Sequence, residues 1–319
     1  MHSPFKPADS LSPIDEPAPF AIDASRRRWL MTLASISGLA LFSGVSPESK
    51  GTVIYRSPRL NNRIELYVKD LRRHGLILRD ERTAWSVYDF TTQSKLVSIN
   101  ENIAFQSASM IKPFVALAFF YQLRRRKVHY GPPIRRKMEA MIQRSDNTAT
   151  NYFLRLLGGR QGPYEVERLL KRNAPGIFRQ TRIVEYIPRN GRTYRNKASA
   201  RDYSRFLYAL WYDQLPYSRE IKRLMGLPNK NRITHGAPQI PARTPIYDKT
   251  GTTSRLCGNM GIVVAIGRNG LAYPYTFIGI IEKSRRAQNL KHWSRDRGNI
   301  IRRISNLVYS DLKRIHNLV

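Results

Sequence analysis

Ser107-Ala108-Ser109-Met110-Ile111-Lys112-Pro113-Phe114-Val115 opens an apolar run that continues to Tyr121. A helix without a wide polar face is normally buried. The stretch therefore predicts a central helix, with Ser109 and Lys112 one turn apart at its N-terminus. Three residues of helical rise are about 4.5 Å, so both side chains can reach one small volume. A serine hydroxyl becomes a useful nucleophile when a base takes its proton. A lysine can be that base once burial and neighbouring positive charge lower its pKa. The helix N-terminus also favours negative charge developing at the serine. Read alone, Ser-x-x-Lys is common by chance in a chain rich in serine and lysine, and its plain reading is an N-cap followed by a surface lysine. The surrounding chain has to decide.

On the N-terminal side, Ile64, Tyr67, Val68 and Leu71 repeat at helical spacing within residues 60–78. Residues 85–90 and 96–100 then alternate in β fashion around the polar turn Thr91-Thr92-Gln93-Ser94, which predicts a hairpin. Beyond the central helix, Gly131-Pro132-Pro133 breaks the chain. Helices follow at 134–143, with Met138 and Met141 inward, at 149–157, at 163–170, at 203–211 and at 218–225. Glu165 and Glu167 read as surface residues. Residues 173–197 show little periodicity, and irregular stretches of that length are often functional. Ser199-Ala200-Arg201-Asp202 has the order of an N-cap. Strands are expected at 245–249, 259–266 and 275–282. A last helix is expected at 297–316, with Ile300, Ile301, Ile304, Leu307, Val308 and Ile315 inward. Short connections favour an α+β fold with an antiparallel five-stranded sheet. The terminal helices would cover one face, and a helical block at about 103–228 the other.

Two further short sequences fall at telling places. Ser145-Asp146-Asn147 lies between helices, where it reads either as a cap or as side chains aimed into a cleft. Lys249-Thr250-Gly251 ends a strand, where it reads as a strand-end turn or as a place where glycine lets substrate approach the backbone. Ser-x-x-Lys, Ser-Asp-Asn and Lys-Thr-Gly in this order form the set of class A β-lactamases and penicillin-binding proteins. From about Leu60 onward the chain resembles these penicillin-recognising serine hydrolases, class A β-lactamases most closely. Val87-Tyr88-Asp89, Ile99-Asn100-Glu101-Asn102 and Asn147-Thr148-Ala149 belong to the same resemblance.

The resemblance implies Ser109 as the acylated nucleophile and Lys112 as its activator. Ser145 would relay a proton to the leaving nitrogen, and Asn147 would hold the substrate amide. Lys249 and Thr250 would bind the substrate carboxylate beside Gly251. The N–H groups of Ser109 and Thr252 would form the oxyanion hole. The family's Glu-x-x-Leu-Asn segment has its counterpart in Thr181-Arg182-Ile183-Val184-Glu185-Tyr186-Ile187-Pro188, where Ile187-Pro188 replaces Leu-Asn. Glu185 is the acid there that would activate the deacylating water. Met260 stands near the place of a carboxylate-binding arginine, with Arg243 or Arg255 as its replacement. The implied substrate is a β-lactam. The alternative is a cell-wall peptide, cut by a D-alanyl-D-alanine peptidase of the penicillin-binding type. A third reading is an idle fold that binds anionic polymer.

The chain has 319 residues and a formal charge of +32. Residues 1–46 hold Lys6, Arg26, Arg27 and Arg28 against Asp9, Asp15, Glu16 and Asp23, so the excess belongs to residues 47–319. Residues 1–24 read as a disordered leader. Ser25-Arg26-Arg27-Arg28-Trp29-Leu30 and the apolar residues after it resemble a bacterial twin-arginine export signal. A membrane anchor at 29–45 is the alternative. The domains are thus 1–50, leader and signal, and 51–319, hydrolase. An exported basic protein would meet anionic envelope polymers through its surface; nucleic acid is not expected. One cysteine, Cys257, and six scattered histidines predict neither disulfide, metal site nor cofactor.

Overall fold

The computed structural model describes residues 58–188 and 194–319. The leader, the export signal and the anchor alternative at 29–45 lie outside the described residues. Helix α1 (Pro58–Arg73) buries Leu60, Ile64, Val68 and Leu71, the stripe its spacing predicts. Strands β1 (Glu81–Asp89) and β2 (Ser94–Ile99) form the hairpin, with Trp85 opposite Ile99 and Asp89 opposite Ser94. A short strand β3 (Ala104–Gln106) leads through a 3₁₀ turn (Ala108–Ile111) into α2 (Lys112–Arg124). Helices α3 (Pro132–Ile142), α4 (Asn147–Gly158) and α5 (Pro163–Asn173) pack around α2. Then come β4 (Lys197–Ser199), α6 (Ala200–Trp211) and α7 (Ser218–Met225). The chain closes with β5 (Ile246–Thr252), β6 (Leu256–Ile266), β7 (Ala272–Lys283) and α8 (Leu290–His316).

The five long strands form an antiparallel sheet in the order β2-β1-β7-β6-β5. Successive side chains of a strand point to opposite faces. Ile278 and Ile280 of β7 and Met260 and Ile262 of β6 join the core under the helical block. Tyr275, Phe277, Ile281, Val263 and Ala265 join the core under α1 and α8. The α+β layering predicted from the sequence is the one observed.

Helix α2 is buried at every residue from Lys112 to Tyr121. Phe114 meets the rings of Phe178, Tyr203 and Phe206 at centroid distances of 4.8, 5.2 and 5.0 Å. Burying a ring of this size stabilises by about 2–3 kcal/mol. The start of α2 is therefore a rigid mount.

Three expectations change. Ile315 is 50% exposed and Leu307 only half-buried. Asn317 ends α8 in the left-handed conformation and turns Leu318 inward, where it takes the core position expected of Ile315. Glu167 is not a surface acid: it accepts the Ile183 N–H at 2.9 Å and pairs with Lys171 at 2.7 Å. The irregular stretch 173–197 ends in a two-stranded ribbon, β3–β4, which the periodicity of the sequence does not predict.

Candidate active site

The turn before α2 carries the first site residue. Ala108 has φ 45°, a region in which a residue with a Cβ is strained by roughly 1 kcal/mol or more. Ser107 is buried and donates its N–H to the Asn196 carbonyl at 2.9 Å. Between Ser107 and Lys112 only Ser109 is not fully buried. The turn therefore offers one hydroxyl to the outside while its neighbours are locked into the core.

Lys112, the first residue of α2, is fully buried. Its Nζ lies within hydrogen-bond distance of the Ser145 carbonyl, of Ser145 Oγ at 3.1 Å and of Asn147 Oδ1 at 3.0 Å. All three acceptors are neutral, so they do not offset the loss of solvation. Burial, and then the positive charge of Lys249, push its pKa down to about 6, while Asp146 pulls the other way. At neutral pH the amine is largely uncharged and able to accept a proton. Asp146 is the N-cap of α4, with its carboxylate taking the Ala149 N–H at 2.6 Å. That cap fixes the neighbouring Ser145, itself at φ 58°, and Asn147 toward Lys112. In Ser-Asp-Asn the middle residue is the cap, and the outer two meet Lys112.

Lys249 is also buried, and burial first, then Arg232, lower its pKa to about 8 against the pull of Asp248. It stays mainly cationic at pH 7, so the two neighbouring lysines are set to opposite charge states. On its Cβ side Gly251 meets the turn that carries Ser109. A Cβ there would lie 3.0 Å from Met110 Cγ, 3.2 Å from Ala108 Cβ and 3.3 Å from the Ser107 carbonyl oxygen. At Gly258 it would lie 2.8 Å from Met110 Cε. The two glycines let the β5–β6 edge close on the turn that carries Ser109. This contact brings Thr250 and Thr252 beside the Ser109 turn.

Arg243 is exposed, and Arg255 donates to the Lys283 carbonyl at 3.2 Å beneath the ring of Tyr194. The arginine at the strand end is instead Arg232. It reaches Thr252 Oγ1 at 2.6 Å and the Gly258 carbonyl at 2.9 Å. Its main-chain N–H is held at 2.7 Å by the buried Asn259, which in turn donates to Asp248 at 2.8 Å. Asn259 was the legible signal: a buried amide inside an apolar strand needs partners on both sides.

Glu185 sits in the loop between α5 and β4. Its Oε1 accepts the N–H groups of Tyr194 and Arg195, each at 2.8 Å. Asn196 Oδ1 accepts the N–H groups of Val184 and Glu185 at 2.7 and 3.1 Å, and its amide returns to the Glu185 carbonyl at 3.0 Å. From α4, Asn151 clamps Ile187 on both backbone groups, at 2.6 and 2.8 Å. Arg232, Asn196 and Asn151 are the supporting residues that sequence reasoning missed. A cleft of about 530 Å³ flanks this loop, lined by Tyr194, Lys197, Arg255 and Lys283 among others. Among the described residues no cluster of three or more His, Cys, Asp or Glu could hold a metal, and no helix is long and apolar enough to cross a membrane.

The family model "Beta-lactamase enzyme family" matches residues 129–312. No curated protein matches the sequence. Among solved structures, PBP-A is 21% identical, over 82% of this chain and 98% of its own, with a TM-score of 0.64. A point mutant of PBP-A, solved as an acyl-enzyme complex with penicillin G, is 20% identical over 81% and 98%, with a TM-score of 0.63. A β-lactamase from Streptosporangium roseum is 18% identical over 81% and 100%, with a TM-score of 0.61. At these identities the structural likeness speaks for the fold. The family match spans more than half the chain, and the chain belongs to the beta-lactamase enzyme family.

Proposed function

We propose that this protein is a serine hydrolase that opens β-lactam amides through an acyl-enzyme on Ser109. The observation that carries the reading is the Lys112 environment: a buried amine poised near pH 6, bonded to Ser145 Oγ and Asn147 Oδ1. Lys112 takes the Ser109 proton as Oγ attacks the carbonyl carbon. The carbon–nitrogen bond breaks, and Ser145 passes a proton to the departing nitrogen. The carboxylate of the substrate meets Lys249, with Thr250 beside it and Arg232 behind Thr252. The penicillin G adduct of the PBP-A mutant supports a β-lactam as ligand for this fold.

A second reading keeps the acylation and assigns it to cell-wall peptides. It is favoured by the use of Glu185 Oε1 to hold two backbone N–H groups and by Ile187-Pro188 after it. In both readings the substrate lies in the envelope, in line with the export signal read from residues 25–45. A chromogenic cephalosporin separates the two. Sustained turnover supports hydrolysis assisted by Glu185; a stoichiometric burst supports the peptidase reading. Silence from both wild type and Ser109→Ala refutes both.

A further inference from the structure

A second polar cavity, of about 210 Å³, lies at the start of α6 (Ala200–Trp211), where the loop carrying Glu185 leaves α5. Three guanidinium groups line it: Arg179 at the loop entry, and Arg201 and Arg205 on the first turns of α6. Asn102, Gln180 and Ser199 complete the wall with Asp202.

The charges there are poorly matched. Asp202 is fully buried, and its Oδ2 is used by the Gln180 N–H and the Thr181 hydroxyl, each at 2.8 Å. Its Oδ1 has no hydrogen-bond partner, and Arg205 stands 3.7 Å away. Arg201 is 3.9 Å from Glu101, a carboxylate already paired with Lys95 at 3.1 Å. No carboxylate of the described residues pairs with Arg179. Counting Lys95, four cations therefore face two acids, and none of the three arginines meets a carboxylate at hydrogen-bond distance. Burial, followed by the charges of Arg201 and Arg179, holds Arg205 below the ordinary arginine range. Like charges gathered in a partly buried pocket are costly unless an anion joins them.

We propose that this cavity is a binding site for a phosphate group, separate from the Ser109 site, formed by Arg179, Arg201 and Arg205. Three planar guanidinium forks can donate to several oxygens of one tetrahedral anion. Arg179, Arg201, Arg205 and Lys95 against Asp202 and Glu101 leave an excess of two positive charges, which matches a phosphate dianion. The bound group would tie Arg179, on the loop entry, to α6. Occupancy would thus stiffen the segment Gln180–Arg182, whose Arg182 pairs with Lys197 at the base of the Glu185 loop.

The test is calorimetric titration of the intact chain with inorganic phosphate at constant ionic strength, with chloride as the competing anion. One saturable site is expected, weakened about tenfold or more in Arg179→Gln/Arg205→Gln and unchanged in Ser109→Ala. Arg136→Gln, an exposed arginine elsewhere, should bind like wild type. Asp202→Asn, which removes the like charge and keeps the shape, should bind severalfold tighter. Hydrogen exchange at the Gln180 and Thr181 amides should slow with phosphate. Repeating the titration with glycerol 3-phosphate tells a free anion from an esterified one: the tighter titrant identifies the source. Absence of saturable heat, equal binding by the double variant, or equal loss in Arg136→Gln overturns the proposal.

Discussion

Asn196 and Glu185 are locked to each other: the Asn196 amide oxygen takes the Glu185 N–H at 3.1 Å, and its NH₂ returns to the Glu185 carbonyl at 3.0 Å. The same Asn196 accepts the Ser107 N–H through its own carbonyl at 2.9 Å. One residue thus couples the turn of Ser109 to the loop of Glu185. Asn196→Ala removes three side-chain hydrogen bonds, each worth about 1 kcal/mol, and leaves half-buried backbone groups of Val184 and Glu185 without this partner. Under the hydrolytic reading, deacylation is expected to fall at least tenfold while acylation stays within a few-fold. Single-turnover kinetics separates the two steps. Equal loss in both steps would mean that Asn196 serves only the overall fold.

In the proposed mechanism Lys112 sets the acid limb of the reaction. Only its uncharged form accepts the Ser109 proton, so the acylation rate should rise with pH, turn over near pH 6 and then level. Asn147→Asp places a carboxylate 3.0 Å from the amine and favours its charged form. The limb should move upward by a unit or more. Stopped-flow acylation across pH 4–9 reads both; an unmoved limb would assign the titration to another group.

The same shift bears on stability. The folded pKa of about 6 lies below the unfolded value of 10.5, so between them the unfolded chain binds the extra proton. Stability from this group therefore rises as pH increases from about 6 to 10.5, and the cost is greatest below 6. Each pKa unit is about 1.4 kcal/mol. Lys112→Met should stabilise the protein at pH 7 by a few kcal/mol, reduced by the acceptors it leaves unpaired, while abolishing acylation. Urea denaturation at pH 7 and 10 checks the sign, and the gain should shrink at the higher pH.

Much of this is legible in the amino-acid sequence. Buried α2, the alternating hairpin and the three late strands follow from periodicity alone, and the Ser109, Lys112, Ser145, Asn147 and Lys249 constellation follows from the three motifs. The ribbon β3–β4 is not legible, because three residues per strand are too few to show a period of two. Arg232 lies in a stretch without periodicity, and the one mark it leaves in the sequence is Asn259, the amide in an apolar strand that holds its N–H. At Gly251 a strand-end glycine shows that something comes close, but not that Met110 is what meets its Cβ side. Glu167 reads as solvated since its partner, the Ile183 N–H, is supplied by a loop.

Arg232 should matter for binding more than for turnover. Loss of a charge-assisted contact costs about 1.5–3 kcal/mol. For Arg232→Ala, kcat/KM should drop roughly 10- to 150-fold, mostly through KM. Lysine, without the planar fork that spans Thr252 and Gly258, should restore little of it. A change in kcat alone would show that Arg232 shapes the strand end without anchoring substrate.

The two glycines admit a paired experiment. Gly251→Ala should slow acylation by pushing on Met110 and Ala108, and Met110→Ala in the same chain should recover part of the rate. A double variant no faster than the single one would locate the strain elsewhere.

The central claim is that Ser109 becomes acylated. Intact-mass spectrometry of the protein mixed with excess penicillin G, followed by peptide mapping, tests it directly. The account predicts a single adduct on the peptide containing Ser109, transient if deacylation is fast and lasting if slow, and none in Ser109→Ala. An adduct that persists in Ser109→Ala, or a wild-type protein that never gains one on any timescale down to milliseconds, would contradict it.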